Sequence, residues 1–216
     1  MKMSKIFYAG SLLIAFLAIL IVGCVKIPSE APPLPEFNAS VRFMNTMAGA
    51  DPVEVAVDGD LKATLASGEA SGYMEVTAGN RFITVNDTVI ADSNLIKTDF
   101  KGTVFIRDSS LVLSRERWTH TNPVLADTVT LAIVAQMSAD TLTVTLTDTS
   151  GASVEMADMY PGAIGARELM AGLYTIQAAA LTDTVSVEES LNGDEKYTIV
   201  ILGETGDLSV EKLENE

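Results

Sequence analysis

The chain of 216 residues contains one cysteine, one histidine and one tryptophan. A single thiol permits no disulfide within one molecule. Zinc sites draw on clusters of His or Cys, and one of each cannot supply them. Ser-His-Asp or Cys-His catalysis would have to pass through His120, because each needs a positioned base. No G-x-S-x-G is present; Gly68-Glu69-Ala70-Ser71-Gly72 has the wrong spacing. Basic residues are also scarce, with 14 Lys and Arg against 29 Asp and Glu and a net charge of −15. So acidic a surface repels phosphate backbones, which excludes nucleic acid as an expected partner. It repels anionic headgroups too, so membrane attachment needs something other than a basic patch. Aromatics are only 6%, whereas apolar residues reach 48%, enough for real cores. Thr, Val, Ala and Asp recur, a mix that favours strands and turns over long helices.

The charge is unevenly spread. Asn38 to Trp118 holds 11 acids and 8 bases, whereas Thr119 to Glu216 holds 16 acids and 3 bases. The acidic half reads as a solvated face; the alternative is a surface for cations or a basic partner.

The first five residues, Met1-Lys2-Met3-Ser4-Lys5, are cationic, and an apolar run follows from Ile6 to Val22. Gly23 and Cys24 close it. A cationic start, an apolar stretch and a small residue at a cut site describe a secretory signal. Ile21-Val22-Gly23-Cys24 resembles the bacterial lipobox, in which the Cys thiol accepts diacylglycerol. The thiolate is the nucleophile for such a bond, and Gly23 lets a peptidase approach the backbone. The resemblance implies cleavage after Gly23 and lipidation at Cys24. The alternative is an uncleaved membrane helix, since Ile6 to Val25 is about the length needed to cross a bilayer. Each buried methylene contributes about 0.8 kcal/mol, and stable anchoring takes two chains or more; a lipidated bacterial protein carries that many. Asp directly after the Cys tends to retain such proteins at an inner membrane. Val25 stands there instead, which implies the outer membrane where the cell has one.

Pro28, Pro32, Pro33 and Pro35 follow closely. Pro-rich linkers are extended at about 3.1 Å per residue, so residues 24–37 form a tether reaching roughly 40 Å. The remainder reads as strands. Val53, Val55 and Val57 alternate with polar or small residues, as do Leu142, Val144 and Leu146 with Thr141, Thr143, Thr145 and Thr147. Such period-two alternation places one face on a core. Asp58-Gly59-Asp60 and Asp148-Thr149-Ser150-Gly151 carry turn chemistry after them. Further strands are expected at Val41–Asn45, Tyr73–Val76, Phe82–Val85, Thr103–Arg107, Leu173–Ala178 and Tyr197–Leu202.

The two halves match as repeats. Ala50-Asp51 with Val53, Val55 and Val57 matches Ala139-Asp140 with Leu142, Val144 and Leu146. Gly72 matches Gly165, Ala78-Gly79 matches Ala171-Gly172, and Lys101 to Ile106 matches Lys196 to Ile201. A period near 90 residues is a tandem domain rather than a solenoid repeat. The expected organisation is a signal peptide at 1–23, the tether at 24–37, a domain at 38–118, a linker at 119–128 and a second domain at 129–216. Each half is expected to fold by itself.

Val41-Arg42-Phe43-Met44-Asn45, Ala50-Asp51-Pro52-Val53-Glu54-Val55, Val57-Asp58-Gly59, Gly72-Tyr73-Met74-Glu75-Val76 and Ala78-Gly79 resemble the DUF4397 family of bacterial extracellular β-domains. The likeness covers about residues 38–116. The second half departs from it, with Thr141 at the Pro52 position and Ala166 at the Tyr73 position. The resemblance implies an all-β fold of two tandem β-sandwiches, Ig-like or transthyretin-like. The family brings no established activity with it, and fold would not decide function.

No catalytic residue, cofactor or metal is expected. Paired carboxylates could in principle serve a hydrolase, but small sandwiches seldom provide the deep cleft. Calcium is the one plausible metal, and Asp58-Gly59-Asp60 and Asn192-Gly193-Asp194-Glu195 offer oxygens without the full spaced set of an EF-hand. Trp118, beside Arg115 and Arg117, is expected to pack at the junction of the repeats, and His120 to sit in the linker. Tyr73 and Tyr160 are expected at sandwich edges. The functional expectation is a non-catalytic binding or structural module, lipid-anchored at the cell envelope, with a protein or glycan partner. The alternative is a scaffold that associates with its own copies through exposed sheet edges. The oligomeric state is not legible in the sequence.

Overall fold

The computed structural model describes residues 37–49, 51–108, 110–116 and 127–215, with the backbone alone at 91–95. The signal segment with Cys24, nearly all of the tether, Trp118, His120 and most of the linker lie outside the described residues. The described residues hold sixteen strands and no α-helix.

The first repeat contributes β1 (Asn38–Asn45), β2 (Val53–Val57), β3 (Asp60–Leu65), β4 (Met74–Thr77), β5 (Gly79–Val85), β6 (Thr88–Ile96), β7 (Lys101–Arg107) and β8 (Ser110–Arg115). The second contributes β9 (Val129–Gln136), β10 (Leu142–Asp148), β11 (Ser153–Met159), β12 (Ile164–Met170), β13 (Gly172–Ala179), β14 (Thr184–Leu191), β15 (Lys196–Leu202) and β16 (Ser209–Asn215). Each repeat folds into two four-stranded sheets. The inner sheets run β4-β1-β7-β8 and β12-β9-β15-β16; the outer sheets run β3-β2-β5-β6 and β11-β10-β13-β14. The strand order is the same in both halves, so the fold is two tandem β-sandwiches. The pairs β1–β7 and β9–β15 are parallel, whereas their flanking pairs are antiparallel.

The alternating segments point as their pattern demands. Leu142, Val144 and Leu146 are fully buried in the second core, and Thr143, Thr145 and Thr147 stand half-exposed on the other face. Val53, Val55 and Val57 enter the first core with Phe43, Ile83 and Val104.

Eight strands were not anticipated: β3, β6, β8, β9, β11, β12, β14 and β16. Seven of them are edge strands, and each carries charged residues, as in Arg167 and Glu168 of β12. The eighth, β9, failed to show for the opposite reason. All eight of its residues are buried, so its sequence VTLAIVAQ has no polar face to alternate with.

The same fact ties the two halves to each other. The central strands of the inner sheets, β1, β7, β9 and β15, are largely buried on both faces. On β1, Val41 and Phe43 face their own core while Arg42 and Met44 face the other repeat. On β7, Val104 and Ile106 turn inward while Thr103 and Phe105 turn outward. Met44, Phe105, Ala135, Met137, Val200 and Leu202 form a third apolar cluster between the repeats. The result is a four-layer stack with three cores. Residues 36–216 accordingly form one compact unit.

A polar network closes one end of this seam. Arg42, 5% exposed, donates through Nη1 to the Glu214 carbonyl at 2.8 Å and through Nη2 to Asn215 Oδ1 at 2.7 Å. It also donates to Thr103 Oγ1, and Asn215 in turn bonds Thr198. A buried charge without such partners would be strongly unfavourable, so this arginine fixes the register of the two repeats. Above it, Arg42 Cζ and Lys101 Nζ lie 4.9 and 4.8 Å from the centre of the Tyr73 ring. Tyr73 is half-buried just before the edge strand β4, and Tyr160 is 66% exposed in the turn after the edge strand β11.

Candidate functional site

The residues that sequence suggested for chemistry do not gather in one place. Cys24, His120 and Trp118 lie outside the described residues. The Asp58 carboxylate accepts from the Phe82 amide at 2.9 Å and from Arg81 at 2.7 Å. Those two bonds, the amide first, hold it below the ordinary carboxylate range. Glu195 accepts from the Tyr197 hydroxyl and from the Asn192 amide, and both lower it. Burial, then the bond to Glu195, pushes the Tyr197 hydroxyl up. Both candidate calcium turns thus have a carboxylate already engaged, Asp58 with Arg81 and Phe82 of β5 and Glu195 within its own turn. Among the described residues, no group of three His, Cys, Asp or Glu is placed to hold a metal ion. Among them, too, no helix is long and apolar enough to cross a membrane.

The repeats do build a site together. Its geometry follows from the way they face each other. At the end of β1, the Asn45 Oδ1 accepts from the Met47 amide; at the end of β9, the Gln136 Oε1 accepts from the Ser138 amide. Thr46 donates its amide to the Ile106 carbonyl, and Met137 donates its amide to the Ile201 carbonyl. The Gly68 amide meets the Asn45 carbonyl, as the Gly162 amide meets that of Gln136. Gly68 and Gly162 both have positive φ, 78° and 88°, a conformation in which glycine is unstrained.

These equivalent glycines make reciprocal contacts across the seam. A Cβ on Gly68 would lie 3.8 Å from Leu202 of the second repeat. A Cβ on Gly162 would lie 3.1 Å from Arg107 Nη1 of the first. Arg107 and Leu202 are themselves equivalent, each closing its parallel strand one residue after Ile106 or Ile201. When i touches j and j touches i, the contact has two-fold character. The two repeats are packed as a pseudo-symmetric pair.

A cleft of about 290 Å³ opens on this pseudo-axis, at the ends of β1, β7, β9 and β15. Its walls include two equivalent pairs, Thr46 with Met137 and Asp108 with Gly203, together with Met47, Ala48 and Ala139. The charges break the symmetry. Arg107 and Asp108 come from the first repeat, and Glu204 from the second. A second cleft of about 320 Å³ adjoins it and shares Met47 and Asp108. Its other walls include Val85, Val89 and Ile90, so it is the more apolar of the two in side chains.

No family model matches the chain, and no curated protein does. Two solved structures give distant likenesses. The Bacillus anthracis TIE protein is 12% identical at a TM-score of 0.26, over 78% of this chain and 34% of that one. This chain thus spans about a third of that protein's length. A putative cell adhesion protein from Bacteroides ovatus is 10% identical at a TM-score of 0.30, over 84% of this chain and 98% of that one.

Sequence reasoning missed Arg107, Met47, Met137 and Glu204. A signal for Arg107 was present. The repeats agree from Lys101 and Lys196 to Ile106 and Ile201, and the next pair is the unlike Arg107 and Leu202. Met47 and Glu204 lie in loops, where the repeat alignment gives no guide.

Proposed function

We propose that this chain is a lipid-anchored, non-catalytic binding module of the bacterial cell envelope, held to the membrane through Cys24. The observation that carries the binding role is the axial cleft, which neither repeat could form alone. Binding sites favour clefts between domains, and a seam with its own apolar cluster keeps this one preformed. The lipobox and the Pro-rich tether support the address. Together they would present a rigid block some way from the membrane surface.

Two measurements test the reading. Cys24→Ser should abolish incorporation of labelled palmitate and leave an unprocessed precursor; equal labelling of both proteins would refute the anchor. Crosslinking on whole cells should trap a partner through residues around the cleft. Ala139→Trp, which fills it, should reduce that yield several-fold, and an unchanged yield would refute the binding role of the cleft.

A second reading, a self-associating scaffold, has an observation of its own. Leu61, Ala56, Thr84 and Val89 form a row across the outer sheet of the first repeat, with Phe82 nearby. Leu61, Phe82 and Val89 are 61%, 55% and 49% exposed. Concentration-dependent sedimentation that Phe82→Ser abolishes would favour the scaffold.

A further inference from the structure

The charges around the axial cleft are placed without being spent on one another. Elsewhere in the fold, ion pairs join Arg81 to Asp58 and Lys212 to Glu189. Arg107, Asp108 and Glu204 line one small space and form none. Arg107 is half-buried, and its guanidinium rests against Gly162, where any larger residue would crowd Nη1.

The mixture of signs selects the ligand. A simple anion drawn to Arg107 meets Asp108 and Glu204. A simple cation drawn to the carboxylates meets Arg107. Only a ligand carrying both signs a short distance apart finds an opposite charge at each position. Arginine is also suited to carboxylates, which its planar fork can bind through two parallel bonds. The volume restricts size: about 290 Å³ is at the small end of ligand sites. The adjoining cleft offers Val85, Val89 and Ile90 to an apolar side chain, with Met47 as a flexible wall between.

We infer that the axial cleft recognises a small zwitterion with an apolar side chain, a free α-amino acid or a dipeptide. Its carboxylate meets Arg107, its ammonium lies between Asp108 and Glu204, and its side chain enters the cleft beyond Met47. The inference rests on the reading of the axial cleft as a binding site. It goes further by naming the chemistry of the ligand. The first repeat supplies the carboxylate anchor, and the second completes the ammonium pocket, so divergence between the repeats has made one asymmetric site from a symmetric frame.

Calorimetry on the detergent-solubilised lipoprotein, with the dipeptide alanyl-leucine as probe, tests this. One molecule should bind per chain. The N-acetyl derivative, which lacks the ammonium, and the C-terminal amide, which lacks the carboxylate, should each bind at least about tenfold more weakly. Arg107→Gln should remove the preference over the amide. Asp108→Asn with Glu204→Gln should remove the preference over the acetylated form. Each variant should melt within a few degrees of the parent, since none of these side chains is fully buried. Equal binding of all three probes, or no saturable binding to folded protein, overturns the inference. The Ala139→Trp crosslinking result separates the two levels. If that variant loses its partner while alanyl-leucine does not bind, the ligand class is wrong and the cleft still binds. If the partner is retained, the cleft reading itself fails.

Discussion

Phe105 offers a direct measure of how strongly the two repeats depend on each other. Its side chain leaves β7 on the face away from its own core and is 0% exposed. It packs with Met44 of its own sheet and with Ala135, Met137 and Val200 of the other repeat. Truncation of a buried Phe to Ala costs about 3–5 kcal/mol, the sum of lost transfer energy and the cavity left behind. For a unit of this size each kcal/mol lowers Tm by about 2–4 °C, so Phe105→Ala should melt roughly 6–20 °C below the parent. The neighbouring Val104→Ala acts on the first core instead. The two can be told apart by repeating both substitutions in the first repeat alone, residues 37–116. There Val104→Ala should still destabilise, whereas Phe105 is on the surface and Phe105→Ala should cost little and should lessen aggregation. Thermal and urea unfolding followed by circular dichroism read all four proteins. A Phe105→Ala chain that melts with its parent, or a cost that persists in the isolated repeat, would refute the seam as a source of stability.

Other consequences follow from single contacts. Val144→Ala removes part of a side chain that is 0% exposed and should cost about 1–3 kcal/mol in urea unfolding, against a few tenths for Thr145→Ala on the opposite face. A Cβ on Gly102 would lie 2.1 Å from the Ser114 carbonyl and 2.8 Å from Phe100 Cζ. Gly102→Ala must therefore push β8 away and should cost about 1–3 kcal/mol or more, visible as faster hydrogen exchange along Ser110–Arg115. Asp58 and Glu195 are held below their ordinary pKa in the folded chain. The unfolded chain then binds protons more readily, so their contribution is complete above about pH 4–5 and is lost as pH falls through the depressed folded values. Asp58→Asn should flatten the loss of stability below pH 4, measured as Tm against pH; an unchanged acid limb would show that Asp58 takes no part in it.

Much of the architecture was legible because the local pattern and the tertiary role coincide there. The alternation of β2 and β10 places Val55 and Val144 in two separate cores, and both are 0% exposed. The matched runs from Lys101 and Lys196 begin β7 and β15, and Gly79 and Gly172 begin β5 and β13. A strand with one wet face writes its orientation into the chain, since every second residue meets water. Acidic composition and turn residues such as Asp58-Gly59 are equally local, and so they too could be read directly. What only the tertiary structure decided lies in the third core and on its axis. Met44, Phe105 and Val200 are apolar on faces that a free sandwich would give to solvent, and nothing in their own segments says what covers them. Arg42 looks like a surface charge until Glu214 and Asn215, far along the chain, surround it. Arg107, Asp108 and Glu204 share a cleft because two repeats close on each other, a contact between distant positions that no local pattern encodes.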